Sequence, residues 1–141
     1  MVNLSLLRRK LGQIEEHIKR IKALPEVSYE EFIKNTIVQD VFFFNITQAI
    51  QKCIDIAVHI VSDEGWGIPS TQAEALEILH NKGVISKDML EKLVKMVGFR
   101  NRIIHEYEKL NFEIVYSVYK NKSTIADIEK FCLIVVEYFK L

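Results

Sequence analysis

Apolar residues recur at steps of three and four positions along most of the chain, which places them on one face of an α-helix. The first run covers about residues 2–24 and ends near Pro25. The second begins at a capping box, Ser28-x-x-Glu31, whose side chains satisfy free backbone N–H groups, and continues as one pattern to about Ser62. Six apolar residues of the first run follow this spacing: Leu4, Leu7, Leu11, Ile14, Ile18 and Ile21.

The second run is apolar on most of its sides, and roughly 20 mostly apolar residues are enough to cross a membrane. Polar side chains interrupt it, however, so we interpret it as the central helix of a bundle and expect no membrane association. Four of them, at steps of four, three and four residues, form a polar seam: Gln48, Lys52, Asp55 and His59. This seam is either a solvated edge of the bundle or one wall of a polar cleft.

The remaining breaks and caps divide the second half of the chain into shorter helices. Residues 63–70 form a loop, in which we interpret Trp66 as an anchor, and Thr71-x-x-Glu74 is a second candidate capping box for a helix that ends near Asn81. Three further helices are indicated: one after a cap at Ser86, one over about residues 112–119 and one over about residues 124–140. The pattern therefore predicts an all-α, up-and-down bundle of about four main helices plus short ones, in a single domain over residues 1–141.

Composition adds little to the predicted fold and leaves the function open. Lys and Arg together number 19, as do Asp and Glu, so net charge argues neither for nor against a nucleic-acid partner. The first residues lack the apolar stretch of a signal peptide, which favours a cytoplasmic location. Cys53 and Cys132 each fall in an apolar helical pattern, so we expect two buried thiols rather than a disulfide.

The stretch G-F-R-N-R-I-I-H-E-Y, residues 98–107, places polar groups at the end of an apolar helical pattern. With about 100° per residue, Arg100 falls in the middle of the apolar stripe, Tyr107 returns to the same line, and Asn101 and His105 share the flank. A guanidinium at that position needs a partner. It is either a core-edge arginine paired with a carboxylate, or part of a site with the other three groups, and their clustering favours a site.

The other histidines, His17, His59 and His80, stand alone in their patterns, and we interpret them as satisfied core or edge residues. The sequence has no motif for a metal, a phosphate-binding loop or a serine nucleophile, so no cofactor is expected.

The string G-F-R-N-x-x-x-H-x-Y resembles the motif of the HEPN superfamily, in which an arginine precedes a histidine by four to six positions. The tyrosine two residues after the histidine makes the chain most similar to the HepT-like toxins of HepT/MntA toxin–antitoxin pairs. The resemblance covers roughly residues 28–135 and includes the long second helix with Q-A-I-Q-K-C-I-D-I-A-V-H.

This resemblance implies a helical homodimer whose motif helices line a shared cleft, and a metal-independent endoribonuclease toxin of a type II or type VII-like pair. It also implies a nucleotidyltransferase antitoxin that can attach AMP to the motif tyrosine, Tyr107.

The residue types suit cleavage of RNA without a metal, because RNA carries its own nucleophile in the 2′-OH. Histidine, with an ordinary pKa of about 6.5, can give or take a proton, which makes His105 the candidate acid or base. Arg100 can bind phosphate oxygens as a fork, and Asn101 can orient His105 or hold a phosphate oxygen. Four cations near the motif either guide the RNA backbone or form a solvated face: Lys92, Lys95, Arg102 and Lys109.

Two other functions remain open at this level. The chain can be a non-catalytic HEPN module that binds nucleotides or RNA and assists a partner nucleotidyltransferase, or a structural dimerisation bundle. A purely binding role does not require an imidazole beside an arginine, so the Arg100–His105 pair favours the ribonuclease.

Overall fold

The computed structural model describes all of residues 1–141 and consists of helices joined by short connections, as the apolar pattern predicts. The α-helices, in chain order, are α1 (Leu4–Lys22), α2 (Tyr29–Lys34), α3 (Thr36–Asp63), α4 (Gln72–Asn81), α5 (Lys87–His105), α6 (Phe112–Asn121) and α7 (Ser123–Phe139). A 3-10 turn, Tyr107–Lys109, lies between α5 and α6. Helices α1, α3, α5 and α7 are the four main helices that the sequence predicts.

Helix α3 is the centre of the bundle, and α1, α2, α4, α5 and α7 all pack against it. By length and apolar content alone α3 passes as a membrane span, but 56% of its most apolar window is buried inside the bundle. Its buried side chains belong to one continuous core of 34 apolar residues. The interpretation of this run as a central bundle helix is therefore confirmed.

The predicted single run from Ser28 to Ser62 is wrong at one point, because the chain breaks at Asn35 between α2 and α3. Asn35 leaves the helical conformation, with φ −97° and ψ 88°, and its side chain accepts a hydrogen bond from the backbone N–H of Val38. Asparagine competes with the helical backbone in this way and is favoured at caps. The apolar periodicity continues through the break, which is why the pattern alone does not show it.

The two predicted capping boxes differ in the structure. Ser28 and Glu31 form a complete box, with each side chain accepting from the backbone of the other residue. Thr71 accepts from the backbone N–H of Glu74, but the Glu74 carboxylate accepts from Ser70 instead of Thr71. These hydrogen bonds from Ser70 lower the pKa of Glu74 below its ordinary value. The second box is therefore only half formed.

Two of the isolated histidines are satisfied by protein groups, as predicted. His17 is buried and its Nδ1 lies 2.9 Å from Oδ1 of Asn45, while Nδ1 of His80 lies 3.0 Å from the carbonyl oxygen of Ile85. These contacts join α1 to α3 and fix the turn that follows α4. His59 is half-buried on α3.

The polar seam of α3 is a half-buried, hydrogen-bonded edge. Lys52 donates to Gln48 at 3.1 Å, and Gln51 donates to Asp55 at 2.9 Å. Lys10 of α1 reaches the same Asp55 carboxylate at 3.5 Å. These contacts give Gln48, Lys52 and Asp55 partners within α3 and across to α1, whereas His59 makes no side-chain hydrogen bond.

The two cysteines are free thiols and are neighbours in space. Cys53 of α3 is buried, whereas Cys132 of α7 is only half-buried, so the expectation of two buried thiols holds for one of them. A side-chain hydrogen bond with Cys132, together with burial, raises the pKa of Cys53 well above its ordinary value. The proximity depends on the packing of α3 against α7, which the sequence pattern does not give.

Candidate functional site at the end of α5

Helix α5 carries the motif and has well-defined ends. The side chain of Ser86 accepts from the backbone N–H of Met89 and caps the first turn. At the other end His105 is the last helical residue, because Glu106 leaves the helical conformation with φ −130° and ψ 35°. Arg100, Asn101 and His105 thus occupy the last two turns of α5, and the chain bends immediately after His105.

Arg100 is half-buried, and its guanidinium contacts an amide rather than a carboxylate. Its Nη1 donates to Oδ1 of Asn101 at 2.7 Å, whereas its Nε is buried and has no acceptor. None of the ion pairs of the chain involves Arg100. Leaving a buried donor unsatisfied costs about 1–3 kcal/mol. The alternative of a core-edge arginine paired with a carboxylate is therefore not what the structure shows.

Asn101 contacts Arg100. The two roles predicted for Asn101 from the sequence were to orient His105 or to hold a phosphate oxygen, and this contact is neither of them. Because Asn101 holds Nη1, the opposite edge of the guanidinium, formed by Nε and Nη2, stays free of protein acceptors. Two parallel N–H groups on one edge match two oxygens of a phosphate or carboxylate. Nε itself has almost no exposed surface, so a phosphate would reach this edge at Nη2 or after a change in the arginine side chain.

His105 is solvent-exposed and makes no side-chain hydrogen bond within the protein. It shares one flank of α5 with Asn101 and with two exposed apolar residues, Val94 (42% exposed) and Ile104 (47% exposed). Two large aliphatic side chains are thus left open to solvent beside the imidazole. The flank has the composition of a contact surface that also carries reactive groups.

The helical position predicted for Tyr107 is wrong, because α5 ends two residues before it. Tyr107 begins the 3-10 turn, and its ring packs edge-on against Phe43 of α3 with centroids 5.7 Å apart. Phe112, the first residue of α6, meets the same Phe43 ring at 6.4 Å. Packing of both rings on Phe43 favours the bend over another turn of helix.

Tyr107 nevertheless lies beside the histidine. His105 and Tyr107 line the same open cavity, which has a volume of about 280 Å³. The tyrosine side chain is 48% exposed, so its hydroxyl is accessible although its ring is held by Phe43. The helix end therefore brings an imidazole and a phenol to one cavity, whereas Arg100, on whose line the helical pattern placed Tyr107, does not line that cavity.

The four cations near the motif have unequal environments. Lys92 forms ion pairs with Asp88 at 3.0 Å and Asp127 at 3.7 Å, and the hydrogen bond with Asp88 raises the pKa of Lys92 and lowers that of Asp88. Lys95 and Arg102 are exposed and lie roughly 200–220° around α5 from Arg100. Lys109 is exposed in the 3-10 turn. Lys92 is therefore paired with α7 in the structure. An RNA-guiding role for the other three cations stays a prediction.

An all-α bundle with a long central helix, in which one helix ends in an Arg-x4-His pair followed by an accessible tyrosine, defines a HEPN-type ribonuclease domain. The chain belongs to the ribonuclease HepT-like family, whose profile matches residues 14–135. This confirms the family expected from the motif.

Two curated relatives are nucleases. The mRNA nuclease HepT of Shewanella oneidensis is 31% identical over 126 residues, which cover 89% of this chain and 92% of that protein. The tRNA nuclease HepT of Aphanizomenon flos-aquae is 26% identical over 101 residues, which cover 72% of this chain and 67% of that protein.

Solved structures show the same fold. A chain of a toxin–antitoxin complex with AMP-PNP matches with a TM-score of 0.82 and 29% identity, over 92% of this chain and 96% of that chain. The tri-AMPylated Shewanella oneidensis HEPN toxin, in complex with the MNT antitoxin, matches with a TM-score of 0.82 and 30% identity, over 92% of this chain and 95% of that one. The all-α fold predicted from the sequence is confirmed.

Proposed function

We propose that this protein is a metal-independent endoribonuclease toxin that a nucleotidyltransferase antitoxin neutralises. The observation that carries the proposal is the arrangement at the end of α5. Arg100 presents a guanidinium edge without a protein acceptor, and His105 stands exposed on the same helix. A half-buried guanidinium with an unsatisfied donor, on the same helix as an exposed imidazole, suits a pair of groups that meets a substrate.

The chemistry follows from these two groups. The 2′-OH of a nucleotide attacks the neighbouring phosphate, so a proton must leave that hydroxyl and another must reach the departing 5′-oxygen. His105 performs one of these transfers, and a positioned acid or base contributes about 10²–10⁴-fold. Arg100 would bind the phosphate oxygens through its guanidinium, where negative charge develops in the transition state.

A homodimer supplies the second proton transfer. Each chain offers one histidine at the site, so a two-fold axis beside α5 would bring a second His105 and Arg100 into one cleft. Two exposed apolar side chains on α5, Val94 and Ile104, support a contact on this side of the bundle. Covering them in a dimer would remove apolar surface from water, which favours association.

Purified protein should cleave single-stranded RNA in the presence of EDTA and leave 2′,3′-cyclic phosphate ends. The matching DNA should stay intact, because it lacks the 2′-OH. Gel analysis of end-labelled substrates, with mass spectrometry of the products, measures both. Loss of cleavage in EDTA would contradict the metal-independent mechanism, and absence of any RNA cleavage would favour the non-catalytic binding module.

Val94→Asp should convert the dimer to a monomer and lower RNA cleavage together with it. Val94 is 42% exposed on the motif flank, so an aspartate there has little effect on folding but places a charge in the proposed interface. The matched control is Ile68→Asp, since Ile68 is 95% exposed in the loop after α3. Sedimentation at micromolar concentration should show monomer for the first variant and dimer for the second. A wild-type monomer with full activity would contradict the shared site.

The antitoxin would act on Tyr107, which is the accessible acceptor beside His105. A solved relative is a tri-AMPylated toxin bound to its antitoxin, and this supports the same control here. A toxin that cleaves cellular RNA would work in the cytoplasm together with the antitoxin that modifies it, and this is the location we propose.

A further inference from the structure

A second cavity lies at the end of α5, on the side where α6 begins. It has a volume of about 330 Å³ and is bounded by α5, the 3-10 turn and the first residues of α6. We call it the α5–α6 cavity. Its apolar wall contains Phe99 of α5 and Ile114 and Val115 of α6. Its polar rim contains Arg102, Glu106, Lys109 and Asn111.

The α5–α6 cavity borders the cavity that His105 and Tyr107 line. Glu106 and Lys109 belong to the walls of both. A strand of RNA whose phosphate lies at His105 would therefore pass the α5–α6 cavity with its next nucleotide.

The rim groups are free to bind a ligand. Arg102, Glu106 and Lys109 take part in none of the ion pairs of the chain. The Oδ1 atom of Asn111 already accepts from the backbone N–H groups of Glu113 and Ile114 at 3.0 and 3.3 Å, which leaves its amide nitrogen as the available group. The cavity therefore offers one carboxylate acceptor and three kinds of N–H donor around an apolar wall.

We infer that the α5–α6 cavity is a subsite for one unpaired base of the RNA substrate, next to the cleaved bond. This inference rests on the proposed ribonuclease function. A base needs an apolar surface for its face and polar partners for its edge, and its phosphate needs a nearby cation, which are the groups that the cavity provides. The volume lies at the lower end of the range of ligand pockets, which suits a single base better than a helix of a partner protein.

Ile114→Trp tests the subsite by filling it. Ile114 is 49% exposed at the cavity wall, so a larger side chain can be accommodated by the fold while it takes the place of a base. Leu133→Trp is the matched control, because Leu133 is 55% exposed and lines a different groove, between α1 and α7. The substrate is a synthetic single-stranded RNA whose cleavage site is mapped first, and abasic nucleotides then replace each position around that site.

With wild type and Leu133→Trp, one abasic position beside the cleaved bond should lower kcat/KM by about 5- to 100-fold, the usual contribution of one base stacked in a protein site. Ile114→Trp should show a similar loss on the intact RNA and no further loss at the abasic position. If Ile114→Trp cleaves like wild type, or the abasic series is flat, or the two losses multiply, the subsite is wrong.

A binding measurement separates this inference from the proposed function. Fluorescence anisotropy with a fully 2′-O-methylated RNA of the same kind requires no cleavage. Weaker binding of Ile114→Trp than of Leu133→Trp supports the subsite even if wild type cleaves no RNA, a result that would contradict only the ribonuclease function. Equal binding of the two variants would overturn the subsite alone.

Discussion

His105→Ala should lower kcat/KM for RNA cleavage by about 10²–10⁴-fold, the usual contribution of a positioned acid or base. His105 is exposed and makes no side-chain hydrogen bond, so its removal should leave the helical circular dichroism spectrum and the thermal midpoint almost unchanged. Cleavage of a labelled RNA under single-turnover conditions measures the effect. Full activity of the folded variant would show that the proton is moved by another group.

Arg100→Ala should cause a loss of about 10²–10³-fold, because it removes the donors that stabilise developing charge. Arg100→Lys should also lose RNA cleavage, since an ammonium keeps the charge but lacks the parallel N–H donors of a guanidinium. Arg9→Ala removes an exposed arginine from α1 and serves as the charge control. An active Arg100→Lys variant would mean that the site requires only a positive charge, which would contradict the role assigned to the planar guanidinium.

The Arg100→Ala variant also tests how the unsatisfied Nε donor affects the stability of the fold. The buried Nε has no acceptor in the protein alone, so truncation to alanine removes an unfavourable group together with its packing. We therefore expect a smaller loss of stability than for a paired buried arginine. Chemical unfolding of wild type and Arg100→Ala measures this difference, and a loss above about 3 kcal/mol would resemble that of a broken buried pair.

Tyr107→Phe should keep ribonuclease activity and escape the antitoxin. The ring packs on Phe43 and phenylalanine preserves that contact, whereas the acceptor oxygen for AMP is lost. An AMP group on Tyr107 would place a phosphodiester anion and a base in the cavity that His105 lines. The anion would repel RNA phosphate from this cavity, and the added bulk would block it. Modified wild type should thus be folded but inactive.

The control is Tyr138→Phe. Tyr138 is 45% exposed on α7 and packs edge-on against Phe139, so it matches Tyr107 in exposure and aromatic contact. Each variant is incubated with a partner nucleotidyltransferase and ATP and then analysed by intact-mass spectrometry and RNA cleavage. Tyr138→Phe should gain AMP and lose activity like wild type. An equal AMP increment on Tyr107→Phe would show that the acceptor lies elsewhere, and complete loss of cleavage in that variant would make Tyr107 catalytic.

Local signals in the sequence determined most of the helices. The apolar spacing of the main helices and the caps at Ser28 and Ser86 depend on residues within a few positions of one another, and the structure places these elements as predicted. The string from Gly98 to Tyr107 likewise identified the family, because it combines a fixed spacing with residue types that an apolar helix stripe rarely tolerates.

The sequence alone therefore determined an all-α bundle, its main helices, the family and the residues to test. Tertiary packing decided how those residues meet. The ring of Tyr107, beyond the end of α5, packs on Phe43 of α3, which lies more than 60 positions earlier in the chain. Lys92 forms an ion pair with Asp127 of α7. Helical periodicity predicts positions around a single helix and contains no information on contacts between helices. These contacts could therefore be found only in the folded structure.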